Sequence, residues 1–95
     1  MSRRDAYLQK LEAQLDQWSA QLDQWEARAR NSQADSKIAV ERRLGELRER
    51  QEAAQAKLRE LRSSSGEAWE TLKDGAENVF ADMRESVERA VAQIR

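Results

Sequence analysis

The chain has 95 residues, of which 37% are charged and 5% aromatic, with a net charge of −1 and no Pro, Cys or His. The absence of Cys excludes a disulfide framework and thiolate chemistry, and the absence of His removes the commonest general base and metal ligand. A composition dominated by Ala, Glu, Leu, Arg and Gln marks long helices rather than a sandwich or an α/β sheet.

The first element opens at Ser2-Arg3-Arg4-Asp5, a loose capping box. Leu8, Leu11, Leu15, Trp18, Leu22, Trp25 and Ala29 follow at 3-4 spacing, a heptad stripe with both alternate positions apolar. Asn31-Ser32-Gln33-Ala34-Asp35-Ser36 is the weakest helix-forming stretch before residue 63, because Asn, Ser and Asp compete for backbone hydrogen bonds. Ser32 and Asp35 form a weak capping pair there, yet the stretch holds no Gly or Pro.

A second heptad stripe runs Val40, Leu44, Leu47, Gln51, Ala54, Leu58, Leu61, with Gln51 its polar interruption. It is out of phase with the first by four residues, a stutter that a continuous helix absorbs by local unwinding. The stretch Ser63-Ser64-Ser65-Gly66 is a firmer stop: Gly66 suits a left-handed helix end, and Ser64-x-x-Glu67 reads as the cap of the next helix. The third element has a wider stripe, Trp69, Leu72, Ala76, Val79, Phe80, Met83, Val87, Ala90, Val91 and Ile94, which needs more than one neighbour to cover it.

The expected fold is therefore all-α, one domain over 1–95: an antiparallel helical coiled coil with a long helix 3–62, a turn at 63–66 and a helix 67–94. The alternative is a three-helix bundle with an extra turn at 31–36. Lengths separate the two. A continuous helix 3–62 spans about 90 Å and the third segment about 44 Å, so the latter covers only half of the former. The Leu/Trp stripe at 8–29 would then lie bare, which folded monomers avoid. Either the chain bends at 31–36, or two chains exchange their first helices.

Charge is patterned locally. Residues 1–35 carry net −1, residues 36–62 net +3 and residues 63–95 net −3, so the basic middle segment is expected to lie antiparallel to the acidic third. Within helices, Glu26/Arg30, Glu46/Arg50 and Glu85/Arg89 have the favourable i,i+4 polarity.

These residues offer little chemistry. Every Asp and Glu lies off the apolar stripes, and no base stands beside Ser63, Ser64 or Ser65. The expectation is a non-enzymatic protein with no cofactor, no metal site and no catalytic residue. The arginines of the middle segment alternate with Glu41, Glu46, Glu49, Glu52 and Glu60, which argues against nucleic acid as a partner.

The expected function is structural, through self-association as a homodimer and binding of a helical client. The self-association seam is Leu8, Leu11, Leu15, Trp18, Leu22 and Trp25. Hairpin packing is assigned to Leu44, Leu47, Leu58, Leu61, Trp69, Leu72, Phe80, Met83 and Val87. The alternative is reversible attachment to a lipid or granule surface through Trp69, Leu72, Phe80, Met83 and Val87. The acidic polar face of that helix disfavours anionic membranes. With no leader-like apolar run after Met1 and no apolar stretch of membrane-spanning length, a cytoplasmic location is expected.

The runs "AYLQKLEAQLDQW" and "QEAAQAKLRELRSSSGEAWETLKDG", with a closing amphipathic helix bearing Val79-Phe80, resemble small bacterial coiled-coil proteins of a stress-response family. They are also similar to apolipoprotein-like helical repeats. The strongest part is Leu58/Leu61, the Ser-Gly turn, Ala68-Trp69 and Leu72-Lys73. The resemblance implies a non-enzymatic helical protein linked to stress tolerance, with no catalytic residues to carry over. Asn31-Ser32 and Asp35-Ser36 depart from the Ala/Lys-rich middle of such chains.

Overall fold

The computed structural model describes residues 2–31 and 34–94, the side chains of 34–36 and 94 excepted. The described residues form three α-helices: α1 (Arg3–Arg30), α2 (Ala34–Ser63) and α3 (Ala68–Ile94). The chain is all-α, and of the two arrangements expected it takes the three-helix bundle. The continuous helix 3–62 is corrected: α1 stops at Arg30, and the molecule is 52 Å long, about the length of one 30-residue helix with its caps.

The stop lies in the weak stretch the sequence marks. Asn31 closes α1, its backbone N–H donating to the Arg28 and Ala29 carbonyls and its Nδ2 to the Ala27 carbonyl at 3.2 Å. Arg28 and Arg30 sit in the last turn, where positive charge complements the helix dipole. The Ser32/Asp35 cap expected next lies outside the described residues. The physical reason for the break is burial. Folding α1 back covers the apolar stripe, a far larger gain than the few backbone bonds that a continuous helix would keep past Arg30.

The start of α1 matches its capping signal, with Ser2 Oγ accepting from the Asp5 N–H at 3.1 Å. The second break differs in detail. Ser64 Oγ donates back to the Leu61 carbonyl at 2.7 Å, and Ser63 Oγ lies 3.2 Å from the Arg59 and Glu60 carbonyls. The serines therefore finish α2 rather than cap α3. Gly66 turns the chain at φ +58°, a conformation open to glycine at little steric cost. Its carbonyl then accepts from the Trp69 N–H at 3.3 Å.

α1 and α3 both run antiparallel to α2, so they are parallel to each other. The core joins Leu8, Leu11, Leu15, Trp18, Leu22, Trp25 and Ala29 of α1 to Leu44, Leu47, Ala54, Leu58 and Leu61 of α2 and Ala76, Phe80, Met83, Val87 and Ala90 of α3. Trp18 and Phe80 meet with ring centroids 5.6 Å apart and planes at 43°. Gln51 is buried among these residues, as is Ser86, which the sequence did not single out.

Candidate functional site

The feature with the most recognition content is the groove that α2 and α3 form for α1. All six residues of the expected self-association seam, from Leu8 to Trp25, are buried in that groove within one chain. Of the hairpin residues, Leu44, Leu47, Leu58, Leu61, Phe80, Met83 and Val87 are buried, and Trp69 and Leu72 are partly buried at the rim. Phe80, Met83 and Val87 would have to leave the core before they reached a lipid surface.

The groove has two unlike sides. On the α2 side charges meet. Arg48 of α2 donates to Asp23 at 2.9 Å and Glu26 at 3.0 Å, and Arg62 pairs with Glu12. The hydrogen bond to Asp23 leads in holding the Arg48 guanidinium above its ordinary pKa; partial burial opposes it, and Glu26 reinforces it. Among the described residues, the ion pairs between helices join α1 to α2. Basic α2 lies antiparallel to acidic α3 as expected, and two hydrogen bonds cross that pair, Arg50 to Ser86 Oγ at 2.6 Å and Arg43 to Gln93 Oε1 at 2.6 Å. Arg50 thus turns across to α3 instead of pairing with Glu46, which takes Arg43 at 3.6 Å. Glu26–Arg30 and Glu85–Arg89 form as expected.

On the α3 side the edge of α1 is mostly amides. Gln14, Gln17 and Gln21 border an open groove of about 370 Å³ with Arg84, Glu88 and the apolar Trp18, Val87 and Val91. Gln14 Oε1 is buried there without a hydrogen-bond partner.

One end of the groove is closed by a cluster that periodicity does not reveal. Arg4 donates from Nη2 to the Leu61 and Arg62 carbonyls at 3.2 and 3.3 Å and also to that of Ser64. These carbonyls lie at the end of α2, beyond regular intrahelical pairing; that of Leu61 also takes the Ser64 N–H and Oγ, and α1 thus supplies part of the cap of α2. The same guanidinium lies 4.5 Å from the Trp69 ring centroid, and Tyr7 meets Trp69 edge-on at 6.0 Å. Lys73 lies over the Tyr7 ring, and Tyr7 donates to Glu77 Oε1 at 3.4 Å. Burial, with the Glu77 carboxylate adding to it, pushes the Tyr7 hydroxyl up to about 12.

Among the described residues, no group of three or more His, Cys, Asp or Glu is placed to hold a metal ion, and no helix is long and apolar enough to cross a membrane. Comparison with protein-family models, with curated proteins and with solved structures finds no match. One missed feature was readable in advance. Glu12, Asp16, Asp23 and Glu26 each follow a stripe residue by one position, an acidic row along a single edge of α1. Arg4 had no such signal, since its partners are backbone carbonyls some 57 to 60 residues away.

Proposed function

We propose that this chain is a non-enzymatic helical interaction protein, acting through self-association and helix-mediated binding. Its α2–α3 hairpin holds an amphipathic helix. In the single chain that helix is α1; in a homodimer it is the α1 of a second copy; a client helix with the same face would use the same groove. One observation carries the reading. The whole stripe from Leu8 to Ala29 is buried against the hairpin, and α1 is covalently tied to it only through the segment after Asn31. The same contacts therefore form within a chain or between chains. We place the protein in the cytoplasm, and the family resemblance points to a role in stress tolerance.

Light-scattering mass and helicity, measured on one sample over a range of concentration, test the reading. The expected result is a dimer of unchanged helicity, reduced to monomers of lower helicity by Leu15→Asp with Leu22→Asp. A chain that stays monomeric at every concentration rejects self-association.

A further inference from the structure

We propose that the hairpin selects its helix by edge charge. The groove takes a helix whose apolar stripe is flanked on the α2 side by carboxylates, in one antiparallel register, and the helix it exchanges is the α1 of a second copy. This rests on the self-association reading above.

The apolar stripe alone selects poorly. Apolar residues recur at heptad spacing along both α1 and α2, with Gln51 the one polar position of the α2 stripe, so a slip of one heptad again sets mostly apolar residues against apolar residues. The edge resists the slip. In the observed register Glu12 meets Arg62, while Asp23 and Glu26 meet Arg48. Asp16 and Arg59 line the same side of the groove between these pairs. Moving α1 by seven residues toward the start of α2 sets Glu26 near Glu41 and Glu12 near Gln55; moving it the other way sets Glu26 near Gln55 and carries Glu12 past the end of α2. Exposed ion pairs attract weakly, but like charges brought together penalise the wrong partner. The α3 side, lined by Gln14, Gln17 and Gln21, adds shape and little charge selection. Discrimination therefore resides in the acidic row of α1 and the arginines of α2.

Two full-length variants test this. One carries Glu12→Arg, Asp23→Arg and Glu26→Arg; the other carries Arg48→Glu and Arg62→Glu. Each sets like charges together within its own chain, and each alone is expected to lose about 5–15 °C of thermal midpoint. Mixed one to one, exchange of α1 restores both sets of pairs. The mixture should regain helicity and midpoint, with a mass twice the 11.0 kDa of one chain. All five reversals placed in a single chain should recover the unaltered behaviour, which separates misfolding from mispairing.

A mixture that behaves as the sum of its components, while the unaltered chain still dimerises, overturns edge selection and leaves self-association standing. Lone variants that match the unaltered chain, or a five-fold variant that does not recover, also overturn it. If neither the mixture nor the unaltered chain exceeds one chain's mass, edge selection falls together with the self-association reading.

Discussion

The two ends of the bundle share a heptad pattern but are built differently. At the closed end, leucines fill the core around Leu8, Leu58 and Leu61, and Arg4, Tyr7, Trp69, Lys73 and Glu77 tie α1 to α2 and α3. At the other end, Ala29 and Ala90 occupy the corresponding core positions, Val40 and Val91 are partly buried, and Ile38 is 58% exposed. Equal spacing therefore does not mean equal anchoring. Burial depends on side-chain size as well as position, and the closed end adds the Arg4–Trp69–Tyr7 cluster, where the other half has the Arg43–Gln93 hydrogen bond and the Arg48 pairs with Asp23 and Glu26. The end of α1 joined to the next helix has the smaller core side chains, which suits the exchange proposed above.

The largest expected effect comes from the core of the closed end. Leu61 is 0% exposed, and Leu61→Ala should cost about 2–5 kcal/mol in denaturant unfolding. Ile38→Ala, at the open end, should cost under about 0.5 kcal/mol. Equal losses at the two positions would remove the contrast.

Next in size is Arg4→Met, which keeps much of the apolar stem but strips three carbonyls and the Trp69 face of their cation. A loss of about 1–3 kcal/mol is expected, with a change in tryptophan emission. Arg4→Lys should recover only part of it, because a single ammonium does not reproduce the planar fork.

A smaller effect depends on pH. The Tyr7 hydroxyl is raised from 10.0 to about 12 in the fold, so the folded state holds its proton more tightly than the unfolded chain does. That contribution is fully present below pH 10 and is lost as pH rises toward 12. Stability should therefore fall across that window, and less so in Tyr7→Phe. Because the chain has a single tyrosine, tyrosinate absorbance reads the titration directly; an ordinary midpoint near 10 would contradict the assignment.

The smallest change strengthens the looser half. A methyl group at Gly45 meets nothing within 4 Å, and Gly45→Ala should add up to about 1 kcal/mol through helix propensity. Slower amide exchange in the first half of α2 would report it.

Most of the helical architecture was legible in the sequence. The stripe Leu8–Ala29 and the run Val40–Leu61 mark the packing faces of α1 and α2, and Ser2 and Gly66 mark a start and a stop. The break after Asn31 was legible only as a weak point, since neither Gly nor Pro stands there and local propensity leaves the two outcomes close in energy. The candidate groove was half legible: its apolar floor follows from periodicity and its acidic edge from the row beside the stripe. Which arginines answer that row, and the role of Arg4, were not.

By itself, the sequence determined that the chain is helical, that a helix ends near Gly66, and which side of each apolar stripe must be kept dry, because amphipathic period and capping are properties of neighbouring residues. Tertiary structure alone decided that the first sixty residues fold into two helices, that α1 turns its acidic edge to α2, and that Arg4 reaches the end of α2. Those outcomes depend on which groups meet after long loops of chain have closed, and the free energy of such meetings appears only once the helices pack.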